Sequence, residues 1–530
     1  MIDTLPELVT LSLEDLYLDE ITLVARDGER VTLSSDPLVT GLIQQSRDTL
    51  ERKLAQGELI YGVNTGFGGN VRYVIPADEM IHHQDNLLEF MCCGVGEPLP
   101  KEVVRASILI RAKSLVRGLS GVRPVVIQRL LDLLNHDITP LVPRYGSVGA
   151  SGDLCPMAYI ARAMLGRGTV LHRGRRVPAA EALEAEGIPF LKLEAKEGLG
   201  LLNGTPVMTG IAATVIDDAY YLFNCALGAI AMAVEALQSS ADYYHPVIHM
   251  AKDHPGQLRV AEQLNSYLFD SKLAVPLESI RRRAAAEAHN GAGEGVVAVH
   301  QAIQSPYSLR CAPQGLGPVL ESLDQCRFTI EREANSVSDN PLVDPISDRI
   351  YHTGNFYGGS IARAMDGLKL DLANLANWKH SVVALLMDDR FSNGLPPSLS
   401  PHVGLYQGFK GAQITATSLV AAIRHWSAPS LVHTLPTEQF NQDIVSLGTH
   451  SALTAMDMVK LLKPVVAITL LAAAQGIDLR GGSRDMAPGT RPIYNAIRSV
   501  SPFLDTDRPL DTEIERLGAL IDQRGITAMN

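Results

Sequence analysis

Aromatic residues are scarce in this chain. They make up 5% of its 530 residues, and only two are tryptophan. The core must therefore be built from Ala, Leu, Val and Ile. Positive charge is also in deficit, with 46 Lys and Arg against 58 Asp and Glu, a formal net charge of -12. A phosphate-backbone partner needs basic patches, so this balance argues against nucleic acid. Cysteine is sparse and shows no metal-ligand spacing: Cys92 and Cys93 are adjacent, and Cys155, Cys225, Cys311 and Cys326 are scattered. That usage predicts reduced thiols in a cytoplasmic protein with no metal centre. No run of 18 residues is free of charge or strong polarity. The nearest, 211–237, is interrupted by Asp217 and Asp218 and predicts a buried helix rather than a membrane span. The opening MIDTLPELVTLSLEDLYLDE is acidic and lacks the basic start of a signal peptide. There are no internal repeats and no low-complexity tract.

A chain of this length exceeds one compact core, so two or three subregions are expected. Residues 21–33, ITLVARDGERVTL, read as a hairpin turning at Asp27-Gly28. Residues 37–57 read as a helix closed by Gly57, and 80–93 as another. Two more helices fill 98–135, parted near Gly118 to Gly121. Residues 169–177, TVLHRGRRV, predict a second hairpin turning at Arg173-Gly174, followed by a short helix over 179–186. Long helical patterns occupy 205–237, 316–332, 362–388, 413–426 and 459–479, and 277–299 reads as a polar, Ala-rich helix or lid. His245 and His249 stand four apart, but Pro246 and the lack of a nearby Glu favour a structural role.

The stretch with the most unusual chemistry is LVPRYGSVGASGDLCPM, 141–157. Gly146, Gly149 and Gly152 let the backbone turn tightly. Gly-Ser runs are ordinarily turns. A phosphate loop would need Lys after the last glycine, where Asp153 stands. A hydrolase elbow needs G-x-S-x-G, which Gly149-Ala150-Ser151-Gly152-Asp153 breaks. A further possibility follows from size. The amide nitrogen of Gly152 can close on the carbonyl carbon of Ala150, and loss of water from the ring and from Ser151 leaves a five-membered ring with an exocyclic methylidene. Such a group is an electrophile made from the chain itself.

GSVGASGDLCPM resembles the signature of the histidine and phenylalanine ammonia-lyase family, and the resemblance recurs from about Tyr61 to Arg480. It implies a mainly α fold: a long-helix bundle over 206–480, a mixed N-terminal region over 1–205 bearing the prosthetic group, and a short helical segment over 481–530. It implies that Ala150, Ser151 and Gly152 form 4-methylidene-imidazol-5-one (MIO), with no metal or soluble cofactor. In YGVNTGFGGNVRY, 61–73, four glycines make a loop. In the family this is an inner lid whose first tyrosine, here Tyr61, is the catalytic base. A tyrosine base near neutrality implies a closed, electropositive site.

Other motifs carry over residue by residue. Phe90 and Met91 match the pair lining the substrate ring pocket. Phe90 stands where tyrosine-selective members carry His, which favours an unsubstituted ring; Met91 departs from the usual Leu. Asn203, in KEGLGLLNGTPVMTG, matches the Asn beside the MIO carbonyl and substrate amine. In QSPYSLRCAPQ, Arg310 matches the carboxylate-binding residue, suited to it by a bidentate, permanently charged guanidinium. Tyr307 matches a second acid/base or electrostatic support, and Gln304 a hydrogen-bonding neighbour. In HTGNFYG, Asn355 would help hold the carboxylate and Phe356 would pack near the MIO; Gly359 replaces the more usual Gln or Thr. GFKGAQI is expected to carry Lys410 inward. Together with Glu438 and Gln442 it forms the phenylalanine-type set, since histidine-type members carry Glu at 442.

The resemblance implies that L-phenylalanine is converted to trans-cinnamate and ammonia after its amine or its ring engages the electrophile. It implies a homotetramer with sites shared between subunits, no membrane partner, and a bacterial type without the shielding domain of plant relatives. Three alternatives remain: a lyase for tyrosine or another substituted ring, an aromatic 2,3-aminomutase, and a non-catalytic binding protein.

Overall fold

The computed structural model describes residues 8–290, 295–299 and 302–526. The chain divides into two units, one of residues 1–217, 325–367 and 429–456, the other of residues 218–324, 368–428 and 457–530. Helices dominate, and the longest are Pro206–Ala236, Ala312–Ala334, Gly359–Met387 and Gly448–Asp478. All strands among the described residues fall in the first unit, in sheets of two or three short strands.

Most elements follow from local sequence. The helix Pro37–Ala55 starts where Asp36 Oδ1 accepts the Leu38 N–H and Pro37 supplies a preset φ. Thr169–His172 pairs antiparallel with Arg175–Pro178. Its turn uses Arg173 (φ 50°) and Gly174 (φ 78°), the left-handed pair a two-residue hairpin requires. Helices follow at Ala179–Ala185, Met80–Met91, Lys101–Val116 and Pro124–Asn135. Of the Ala-rich stretch 277–299, Leu277–Asn290 is helical, while 291–294 lie outside the described residues. His249 is buried and bonds the carbonyl of Tyr243 and the amide of Gln257.

The expected hairpin over 21–33 does not form. Leu18–Thr22 is helical, and Leu23–Asp27 continues in wider turns that stop at Gly28 (φ 78°). Ile21, Val24 and Ala25 are buried at helical spacing, so the stretch satisfies a 3.6-residue period as well as alternation. Asp27-Gly28 therefore ends a helix instead of turning a hairpin. Arg30–Leu33 pairs in parallel with Leu8–Leu11.

Lys101–Val116 is buried from Val103 onward, although it carries three interior cations. Each is matched to main-chain oxygens of non-adjacent segments. Arg105 donates to Val24 and Leu134, Lys113 to Ser12 and Glu14, and Arg111 to Gly200, Asn203 and Ser338. Buried cations persist only when so partnered. The helix Pro206–Ala236 is long and apolar enough to cross a membrane by length and composition, and 83% of its most apolar window is buried.

Candidate active site

A cavity of about 690 Å³ opens in the first unit. It falls within the usual range of small-molecule sites, roughly 300–1,000 Å³. Seven expected site residues line it: Tyr61, Phe90, Met91, Ser151, Asn203, Glu438 and Gln442.

One wall is the glycine-rich loop. It is internally bonded: Asn64 Oδ1 accepts the Ile60 N–H at 2.7 Å, Thr65 Oγ1 accepts that of Gly62 at 3.0 Å, and the Tyr73 carbonyl accepts that of Gly66 at 2.9 Å. The Tyr61 hydroxyl oxygen accepts the Gly68 N–H at 2.9 Å. The next N–H, of Gly69, donates to Glu438 Oε1 at 3.0 Å. Gly68 (φ 52°) is required twice over, because a Cβ there would also collide with the Glu438 carboxylate. Glu438, Gln439 and Phe440 all sit in the left-handed region, at φ 49°, 55° and 60°. For non-glycine residues this costs roughly 1–2 kcal/mol each, and such strain concentrates at functional positions.

An electropositive surround for Tyr61 was expected; among the described residues the charged group that shifts its pKa is the Glu438 carboxylate. Burial raises the phenol above its ordinary value and the Glu438 carboxylate adds to the rise, while the Gly68 N–H works against both.

The opposite wall is the tripeptide. Gly152 (φ 73°) lies against Gly204, whose carbonyl occupies the space a Cβ would need. The Gly204 carbonyl accepts the Asp153 N–H at 2.6 Å, and the Gly204 N–H donates to the Ser151 carbonyl at 3.3 Å. Ser446 Oγ donates to the Gly149 carbonyl at 3.0 Å. Ser151 Oγ accepts from Gln442 Nε2 at 3.1 Å. Beneath lies Asp153, fully buried. Its carboxylate accepts the N–H groups of Val207 and Met208 and the hydroxyls of Ser147 and Thr449. Burial pushes its pKa up and these four bonds pull it down.

Asn203 carries a buried Oδ1 with no hydrogen-bond partner among the described residues, while its Nδ2 lies 3.5 Å from the Ser151 carbonyl. An orphaned acceptor beside the tripeptide, and a Gly152 that admits no side chain, fit a ring built from Ala150, Ser151 and Gly152. Asn203 is itself held by Arg111, whose guanidinium donates to its carbonyl. Burial lowers the Arg111 pKa to about 10, against the pull of Asp339 and Asp153.

The other expected residues stand elsewhere. Asn355 Nδ2 donates to the Val337 carbonyl at 3.4 Å, and neither it nor Phe356 lines the cavity. Gln304, Tyr307, Arg310 and Lys410 belong to the second unit. There Tyr307 is 70% exposed, its ring under the Arg310 guanidinium at 4.5 Å, and Arg310 Nε donates to the Ser305 carbonyl at 3.0 Å. Gln304 is exposed. Lys410 is also exposed, contrary to expectation, and bonds Gln407. It opens the helix Lys410–Trp426, and its neighbour Phe409 takes the interior place.

Sequence reasoning passed over Asp153, Ser147, Thr449 and Arg111. Asp153 had a signal, since it directly follows the Ala-Ser-Gly tripeptide. A cation inside an apolar helix gives none.

The aromatic amino acid lyase family matches residues 16–499. A hal-like protein of Dictyostelium discoideum is 43% identical over 520 residues, covering 98% of this chain and 96% of that protein. A histidine ammonia-lyase of a Geobacillus species is 38% identical, covering 96% and 95%. The structure of a phenylalanine aminomutase from Pantoea agglomerans matches with a TM-score of 0.92 at 35% identity, over 96% of this chain and 98% of that one. Relatives at 38% identity are named for histidine, phenylalanine and tyrosine alike.

Proposed function

The chain belongs to the aromatic amino acid lyase family, and on that premise we propose that it eliminates ammonia from L-phenylalanine to give trans-cinnamate. It is a carbon–nitrogen lyase by family, with the mainly α ammonia-lyase fold. The observation that carries the substrate reading is Phe90 in the cavity wall, beside Met91 and Phe67, offering no hydrogen bond to a ring hydroxyl. Gln442 supports it: an amide at Ser151 Oγ brings no charge to pair with an imidazolium.

In this reading Ala150, Ser151 and Gly152 become the MIO group, Asn203 would hold it at the Ser151 carbonyl, Gln442 contacts the Ser151 hydroxyl that must leave as water, and when formed the group supplies the electrophile the elimination needs. The chain's other groups position and move protons. Tyr61 takes the β-proton, and the Gly68 N–H at its oxygen stabilises the phenolate that does so. Glu438 steers the amino group as it departs. Arg310, with Asn355, binds the carboxylate, so that the substrate reacts from a fixed pose. Tyr307, Gln304 and Phe356 keep the supporting roles that the family resemblance implies. The protein works as a cytoplasmic homotetramer with shared sites.

The test is a panel of phenylalanine, tyrosine and histidine followed in the ultraviolet for an unsaturated acid. Phenylalanine should be turned over fastest and histidine not at all. Faster turnover of histidine would overturn the reading of Gln442. A second reading, in which ammonia is retained and re-added at the β-carbon, is favoured by the likeness to the structures of a phenylalanine aminomutase and a tyrosine aminomutase. The product separates the two: cinnamate means lyase, β-phenylalanine mutase.

A pH profile tests the base. The reactive form is the phenolate of a phenol whose pKa is raised, so kcat/KM should climb as pH rises on the alkaline side. Glu438→Gln removes a negative charge that raises that pKa. The climb should then begin at lower pH. A climb that stays put or moves up means another group titrates.

A further inference from the structure

We infer that His83 latches the glycine-rich loop over the cavity and thereby holds the Tyr61 hydroxyl in place, an inference that rests on Tyr61 being the base. His83 lies on the helix Met80–Met91, two turns before Phe90 and Met91. It grips the loop at two separate points. Its Nε2 is 3.1 Å from the Thr65 carbonyl oxygen, and its ring stacks on Phe67 with centroids 4.0 Å apart and planes 11° from parallel. A carbonyl oxygen only accepts, so Nε2 carries the proton.

Both grips lead back to Tyr61. Thr65 Oγ1 takes the N–H of Gly62, the residue after Tyr61. The Phe67 ring packs on that same glycine, so closely that a Cβ on Gly62 would stand 3.0 Å from Phe67 Cδ1. Gly68, which follows Phe67, donates to the Tyr61 oxygen. Moving Phe67 therefore moves the donor on which the phenolate depends. The near end of the loop has its own anchor, because buried Gln84 donates Nε2 to the Gly62 carbonyl at 2.7 Å. For the span from Thr65 to Gly68 the helix's hydrogen bond and closest ring contact among the described residues come from His83. Phe67 also meets Phe90 of the same helix, at 6.3 Å between centroids, so the same latch braces the ring pocket. His83 also lines the cavity, but its side-chain hydrogen bond and ring contact among the described residues are to Thr65 and Phe67 and not to Tyr61 or the tripeptide, and the role inferred for it is positioning.

Three variants of the full chain separate the two grips. His83→Ala removes both, His83→Phe keeps a ring without a donor, and His83→Gln keeps a donor without a ring. Amide hydrogen exchange read by mass spectrometry over 61–75 reports the latch independently of turnover. In His83→Ala, exchange there should accelerate by about 10-fold and kcat should fall by about 10-fold, with KM moving less than about 3-fold. The other two variants should fall between. Loop exchange equal to wild type in His83→Ala overturns the inference, whatever the rate does. So does a rise in KM with kcat unchanged. If the unaltered protein acts on no aromatic amino acid, the proposed function fails while the exchange result still decides the latch.

Discussion

Replacing Ser151 with alanine is expected to yield a folded protein that deaminates phenylalanine at least about 10³-fold more slowly. A loss of that size is roughly 4 kcal/mol of barrier. Ser151 is the one residue of the tripeptide whose side chain can leave as water and become the methylidene. Alanine cannot. The structural cost should be small, because Ser151 Oγ has a single partner among the described residues, Gln442 Nε2. The glycines that shape the turn are untouched. Intact mass supplies the independent reading. The unaltered chain should be lighter than its sequence by two waters, and the variant should retain at least the serine-derived one. Unchanged turnover in the variant would remove the electrophile from the reaction.

Tyr61→Phe should have the next largest effect, a fall in kcat of about 10²–10⁴-fold, the usual contribution of a positioned proton acceptor. The aromatic ring still fits the wall it shares with the loop. What goes is one oxygen, and with it the partner of the Gly68 N–H. Losing a hydrogen bond of this kind costs about 1 kcal/mol, so the melting temperature should barely move while the rate collapses. Substrate deuterated at the β-carbon should show a larger isotope effect in the variant, because proton removal becomes the slow step. A drop below about 10-fold would assign the proton to another group.

Much of the fold was legible because local chemistry and tertiary need agree. Asp36-Pro37 opens a helix here, and Arg173-Gly174 turns a hairpin, each by its own local chemistry. The tripeptide was singled out for a different reason: its residues alone also read as an ordinary turn, and the resemblance of GSVGASGDLCPM to the ammonia-lyase signature decided the reading. Residues 21–33 failed because their apolar positions fit two periods, and parallel pairing with Leu8–Leu11 settled the choice from outside the segment. Lys410 failed because a chain neighbour took the buried place. Arg111 could not be found, since its value lies in three carbonyl oxygens that arrive from residues 200, 203 and 338. The anionic contribution at Tyr61 was missed for the same reason, as Glu438 comes from a turn hundreds of positions away.

The tripeptide's surroundings also set a schedule. Gln442, Ser446 and Thr449 reach Ser151, Gly149 and Asp153 across sequence separations of 291, 297 and 296 residues. A nascent chain emerging from the ribosome carries Ala150-Ser151-Gly152 long before those partners have been made. Until then the three residues lack the contacts from 442, 446 and 449. The dehydration proposed for Ser151 would then wait for the last quarter of synthesis, and each molecule's mass would record whether its own assembly was finished.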